Sequence, residues 1–158
     1  MILTNFERLI KLATEVFDVK NDPSQLDINP RVLERLHQIH PATVSQHDVG
    51  DGPVAWVLVF PTTIDVMNRF LQQKITEKEL FNLTPLNVKY DAIYLCSAVV
   101  LEEYRRQGIT RTLALNAIEK IREKHPLKAA FVWAFSPEGD KAAETIARLG
   151  GLPLYKRE

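Results

Sequence analysis

Along some stretches of the chain hydrophobic residues recur every three or four positions, and along others they run in short blocks. The two patterns predict helices and strands respectively. Phe6, Leu9, Ile10, Ala13, Val16 and Phe17 follow helical spacing behind Thr4 and Glu7, a capping-box pair. Asn21-Asp22-Pro23-Ser24 reads as a turn. Asn29 and Pro30 then open a second helix whose stripe is Val32, Leu33, Leu36 and Ile39, ended by Pro41. The pattern changes at residue 42. Residues 42–48 are strand-like, Gly50-Asp51-Gly52-Pro53 is a turn, and residues 54–60 are almost continuously apolar. That combination predicts a hairpin whose second strand is central and covered on both faces. Helical spacing returns over 63–73 through Ile64, Met67, Phe70 and Leu71, and Thr76 with Glu79 caps a further short helix to about Asn82. A strand over 91–100 follows, then a helix over 108–124 with Ile109, Leu113, Ala117, Ile118 and Ile121 inward. A strand over 129–135, a helix over 140–149 closed by Gly150-Gly151, and a short strand over 152–155 complete the series.

The second half thus alternates strand and helix, while the first adds helices and a hairpin. This order predicts an α/β (α+β) fold of mixed strand direction, with helices packed on a central sheet. No repeat, low-complexity tract or linker divides the chain, so a single domain is expected over 1–158. Within it we distinguish a helical segment (1–41), a hairpin with a helical insertion at 64–82 (42–89), and a strand–helix core (90–158).

Composition narrows the function. The 158 residues are 46% hydrophobic and 25% charged, which suits a folded domain. Twenty basic and twenty acidic residues cancel, so no global field draws the chain to nucleic acid or a membrane. Any anion site must be local. No apolar run reaches membrane-spanning length, and the start lacks the pattern of a signal peptide. With Cys96 the only cysteine, a cytoplasmic protein is expected. His37 and His40, with His47 beyond, lack a cysteine or carboxylate at ligand spacing, so no metal is expected. Phosphate-loop, dinucleotide and nucleophile-elbow patterns are absent. Trp56 and Trp133 lie in apolar strand runs and read as core.

One local feature stands out. Arg105, Arg106 and Arg111 crowd the place where a strand gives way to a helix around Gly108. A helix N-terminus already carries about half a positive charge, so each cation there costs roughly 0.3–1 kcal/mol. A bound anion reverses that cost, because free backbone N–H groups beside a flexible glycine converge on it. The competing interpretation is a solvated turn whose arginines pair with Glu102, Glu103 or Glu119.

The run Val100-Leu101-Glu102-Glu103-Tyr104-Arg105-Arg106-Gln107-Gly108-Ile109-Thr110 resembles the acetyl-CoA-binding motif of the GNAT superfamily of N-acetyltransferases, Gln/Arg-x-x-Gly-x-Gly/Ala. Thr110 replaces the usual small residue and Leu101-Glu102 the usual x-Pro. Downstream, Asp140, Ala143 and Ala147 fall on the asparagine, alanine and tyrosine of a second family pattern that ends at Gly151-Leu152. The resemblance spans about residues 90–155. It implies a GNAT-like, mostly antiparallel sheet with a splayed strand pair and helices on both faces. It also implies transfer of acetyl from acetyl-CoA to a small-molecule or peptide amine. Ala98, Val99 and Val100 would hold pantetheine. The turn formed by Arg105, Arg106, Gln107, Gly108, Ile109 and Thr110 would hold the pyrophosphate. The family's early helices would shape the acceptor side. Its tyrosine acid falls on Ala147, so the proton donor is open. Tyr94 and Tyr155 are substitutes, Ser97, Ser136 and Glu138 lie near strand ends, and Cys96 reads as a small buried hydrophobe. Two departures are the lack of an evident first strand before the Thr4 helix and the helical insertion at 64–82; a seventh strand after Tyr155 is also missing or supplied by a partner, which leaves room for a homodimer. Together with Ala147 and Thr110, the insertion keeps open a catalytically degenerate module that binds CoA or a protein without turnover.

Overall fold

In the computed structural model, residues 3–17, 26, 29–134 and 136–158 are described, with backbone alone for 13–17. The chain runs α1 (Asn5–Phe17), α2 (Pro30–Ile39), β1 (Val44–Val49), β2 (Gly52–Thr62), α3 (Ile64–Leu71), α4 (Glu77–Leu83) and β3 (Ala92–Val100). A 3-10 turn (Glu102–Tyr104), α5 (Ile109–Arg122), β4 (Ala129–Val132), α6 (Pro137–Leu149) and β5 (Leu154–Lys156) follow. The strands form one sheet in chain order. The longer pairings, β1 with β2 and β2 with β3, are antiparallel; β3 with β4 and β4 with β5 are parallel.

The local signals produce their elements. Glu7 N–H donates to Thr4 Oγ1 at 3.1 Å while Thr4 N–H donates to Glu7 Oε1 at 3.4 Å, closing the capping box of α1. Thr76 and Glu79 close the equivalent box on α4, and Asn29 caps α2. Strand β2 pairs on both sides, which is why its apolar run is nearly unbroken.

Alternation along β3 divides the core between the two sheet faces. Tyr94 joins Phe60, Phe70, Phe81, Tyr90 and Phe131 on the face covered by α2, α3 and α4. Ile93 and Leu95 join Val57, Val59, Ala117, Ile118 and Ile121 beneath α5 and α6. Helix α1 docks separately, through Leu9 on Val54, Val99 and Leu101.

Several boundaries and faces differ from expectation. Helix α6 starts at Pro137, three residues before the expected 140, because the Ser136 hydroxyl accepts the Gly139 N–H. Strand β4 ends at Val132 and β5 shifts to Leu154–Lys156. The stripes of α1 and α2 are incompletely covered, with Phe6, Ile10 and Leu33 all more than 40% exposed. Phe135 and the turn read at residues 21–24 lie outside the described residues.

Candidate active site

Strands β3 and β4 share only four paired positions, from Ala92 opposite Ala129 to Leu95 opposite Val132. Beyond them β3 continues to Val100, and within the described sheet its β4-facing edge has no strand partner from residue 96 onward. The parting coincides with a β-bulge. Leu58 lies opposite Ser97 and Val59 opposite Leu95, so Cys96 is the extra residue on β3. A bulge bends its strand and raises the local twist, which turns this end of β3 away from β4. A cavity of about 400 Å³ opens in the gap. Val57, Leu58 and Leu95 form an apolar floor, Trp133 and Ala134 one wall, and Ala114, Ala142 and Ala143 of α5 and α6 another. The alanines leave the room that larger helix residues would fill.

The far end of the unpaired edge runs into the arginine-rich turn. Arg106 has φ +67° and Gly108 φ +74°, so the chain takes left-handed conformations on either side of Gln107. Gly108 caps α5 without any side-chain bond, and the first turn of α5 carries no acid. Two of the three acids that could neutralise the arginines are engaged elsewhere: Glu103 pairs with Arg8 of α1 at 2.6 Å and Glu119 with Arg122 at 2.9 Å. That pairing holds the Glu103 carboxyl below its ordinary range. Among the described residues, the guanidinium groups of Arg105, Arg106 and Arg111 form no hydrogen bond or ion pair. Arg111 folds back over the turn, its Nη2 only 2.8 Å from where a Cβ on Gly108 would stand. Arg105 lines a smaller hollow of about 140 Å³ with Leu12 and residues 98–100.

Behind the cavity lies a buried polar cluster. Glu77, the first residue of α4, is only 5% exposed. Its Oε2 accepts the Tyr94 hydroxyl at 2.5 Å, its Oε1 accepts the Leu26 N–H at 2.6 Å, and the Cys96 Sγ lies 3.9 Å from Oε2. Burial pushes the Glu77 carboxyl up against these donors and the nearby Arg157. Burial and the Glu77 charge also raise the Tyr94 phenol and the Cys96 thiol well above their ordinary values. The Arg157 guanidinium lies 4.3 Å from the Phe70 ring centre and 4.7 Å from that of Trp133.

Cys96, Ser97, Ala98, Val100, Thr110, Ser136 and Glu138 all line the main cavity. Val99 shares that stretch of backbone, but its side chain packs under α1. Arg105, Arg106, Gln107, Gly108 and Ile109 form the turn at its rim. Tyr94 does not reach the cavity, being wholly buried and bonded to Glu77. Tyr155 stands half-exposed on β5, outside the cavity lining. Ala147 is buried in the α5–α6 core and offers no proton. Ser136 caps α6 and Glu138 lies in its first turn. Trp133 faces the cavity as well as packing on the core, a dual placement its apolar neighbours conceal. Glu77 had no signal, since an acid in a first helical turn ordinarily reads as solvated. Among the described residues, no cluster of three or more His, Cys, Asp or Glu is placed to hold a metal. None of their helices is long and apolar enough to cross a membrane.

A family model described as the acetyltransferase (GNAT) family matches residues 22–150. No curated protein matches the chain. Among solved structures, the chain is similar to an aminoglycoside acetyltransferase, meta-AAC0020, from an uncultured soil metagenomic sample, in complex with trehalose. The TM-score is 0.51 at 19% identity, covering 94% of this chain and 83% of that one. Naa20 of Chaetomium thermophilum, in complex with a bisubstrate analogue, superposes with a TM-score of 0.52 at 10% identity. The match covers 89% of this chain and 64% of that one. At these identities the two structures speak for the fold.

Proposed function

The chain belongs to the acetyltransferase (GNAT) family, which makes it an acyl-CoA-dependent N-acetyltransferase, and we propose that its donor is acetyl-CoA bound in the gap between β3 and β4. The observation that carries this reading is the unpaired edge of β3, which leads from the cavity directly into the turn at Arg106 and Gly108. Backbone groups of Ala98, Val99 and Val100 bond the amides of the pantetheine arm in place of a neighbouring strand. The N–H groups from Arg106 to Thr110 take the pyrophosphate at the positive end of α5. Arg105, Arg106 and Arg111 add charge-assisted bonds, strongest where the guanidinium fork meets two phosphate oxygens. The thioester then lies in the largely apolar chamber over Val57 and Leu58.

We assign the acceptor to small-molecule or peptide amines, and we place the enzyme in the cytoplasm, where a lone cysteine stays reduced. Thermal unfolding with and without acetyl-CoA tests the donor. A ligand at a hundred times its Kd stabilises by about 2.7 kcal/mol. Absence of any shift at millimolar acetyl-CoA would return the arginine turn to a solvated loop. Thiol release across a panel of small amines and peptides then identifies the acceptor class.

A further inference from the structure

The main cavity does not stop where β3 and β4 part. Its end nearest the arginine turn is polar, with Thr110, Ser136 and Glu138 at the starts of α5 and α6. The other end reaches down to Leu95 and Val132, the last residues paired between β3 and β4, and to Val59 opposite Leu95. Ala114, Ala143 and Ile146 form its helix side. All six side chains belong to the apolar core beneath α5 and α6. Because Leu95 is paired on both sides, its backbone is already engaged. Among the described residues, this end therefore offers a ligand apolar surface and no charged partner. On the α4 side of the parting the surroundings differ, since Cys96 backs onto the buried Glu77 carboxylate there.

The depth of the cavity exceeds what an acetyl group uses. Leu95 lies five residues before Val100, about 16–17 Å along the strand. Ile146 lies nine residues past Pro137, about 13 Å along α6. From pyrophosphate to sulfur the pantetheine arm is about a dozen bonds, roughly 15 Å when extended. Starting from the turn beyond Val100, such an arm brings its sulfur to about Ser97. Two residues of strand, about 6–7 Å, remain between there and Leu95. An acetyl group reaches about 2–3 Å beyond the sulfur, and a butyryl group about 5 Å.

We propose that the chamber between Leu95, Val132 and Ile146 is an acyl-chain pocket, so that the enzyme binds butyryl-CoA more tightly than acetyl-CoA and rejects acyl groups that carry a charge. The proposal rests on the binding of CoA along β3. The reaction keeps its form with the longer donor. The amine nitrogen attacks the thioester carbonyl carbon, a carbon–nitrogen bond forms and the carbon–sulfur bond to CoA breaks. The proton shed by the nitrogen balances the one taken up by the departing thiolate, and nothing is oxidised or reduced. Each methylene added to the acyl group exchanges water for apolar wall. A succinyl group, of similar reach, would set a carboxylate among the same side chains without a partner, which is costly.

The test titrates the whole chain calorimetrically with CoA and with its acetyl, propionyl, butyryl, hexanoyl and succinyl thioesters. We expect Kd to fall about four-fold for each methylene from acetyl to butyryl, the worth of burying one CH₂. Succinyl-CoA should bind at least 10-fold more weakly than butyryl-CoA. Ala143→Leu fills the pocket and should bring the ratio of the butyryl and acetyl Kd values to about one. Ile146→Ala, at a half-buried position, lengthens the pocket and should move the tightest binding from butyryl to hexanoyl. A Kd that stays level or rises from acetyl to butyryl overturns the proposal, as does succinyl-CoA binding as tightly as butyryl-CoA. Should Ala143→Leu fail to fold, Ile146→Ala decides, and an unchanged chain-length optimum there overturns the pocket. If neither CoA nor any thioester binds the wild-type chain, the cofactor reading itself fails and the pocket falls with it. Acetyl-CoA binding without a chain-length gradient removes the pocket alone.

Discussion

Two helix N-termini meet at the same cavity and are finished in opposite ways. Helix α6 is closed by its own residues: the Ser136 hydroxyl accepts the Gly139 N–H at 3.0 Å, Pro137 takes the first turn, and Glu138 and Asp140 complement the dipole. Helix α5 has glycine for a cap, no side-chain bond and no acid in its first turn, and the three arginines around it have no partner among the described residues. Both ends pose the same problem of orphan N–H groups and partial positive charge. One solves it internally and gains stability. The other leaves it for a ligand, and the ground-state cost of the open end is the counterpart of its affinity for an anion.

Closing the open end should have the largest effect. Gly108→Val places a β-branched residue at φ +74° with its Cβ against Arg111. We expect acetyl-CoA affinity to fall at least 100-fold, about 2.7 kcal/mol, with a stability loss of roughly 1–2 kcal/mol from the left-handed backbone. Calorimetric titration of the folded variant checks this, and unchanged affinity would remove the turn from the cofactor site. Next come Arg111→Ala and Arg105→Ala, each expected to weaken binding by about 1.5–3 kcal/mol, the value of a bond to a charged group. The same substitutions should stabilise the ligand-free protein by about 0.3–1 kcal/mol, since a cation leaves a positive helix end. Opposite signs in Tm and Kd distinguish a ligand site from a solvated turn. Opening the closed end is smaller: Ser136→Ala should lower stability by about 1 kcal/mol with acetyl-CoA affinity unchanged. A parallel loss of affinity would show that the α6 cap also serves the donor.

The smallest effect lies at the opposite end of α5. There the His125 Nδ1 accepts the Tyr90 N–H at 3.2 Å, and the His40 Nδ1 accepts the Ala42 N–H at 3.0 Å, the two rings 6.0 Å apart. Burial, with neighbouring positive charge, lowers both imidazoles below their ordinary value. The unfolded chain therefore binds protons first, and stability present above about pH 6.5 declines as pH falls below it. Tm measured from about pH 7.5 to 5.5 should drop, and His125→Gln should flatten that slope. A slope that persists unchanged in the variant would assign it to other groups.

The contrast between the two N-termini also shows how far residues alone could be read. The α5 turn was legible, because glycine and the three arginines are conspicuous where a strand gives way to a helix. The α6 start lies three residues before the expected 140 although Ser136-Pro137 is a cap followed by a first-turn proline, because the apolar spacing that marks the helix begins only later. Cys96 was read as a small hydrophobe, correct for its packing against the aromatic face and silent about the cavity beside it. Glu77 had nothing in its neighbourhood to distinguish it from the solvated acid at Glu79.

What the amino-acid order determined was local: helix caps, strand periods, the hairpin, and a turn whose charge opposes its own helix. Those follow from bonds between residues a few positions apart, and their spacing carries them. Where β3 and β4 part, which face of β3 meets α4, and that Glu77, Tyr94 and Cys96 share one buried cluster were decided only by tertiary packing. Sheet register, a single bulge and the docking of α4 set those distances, and none of the three leaves a periodic trace along the chain.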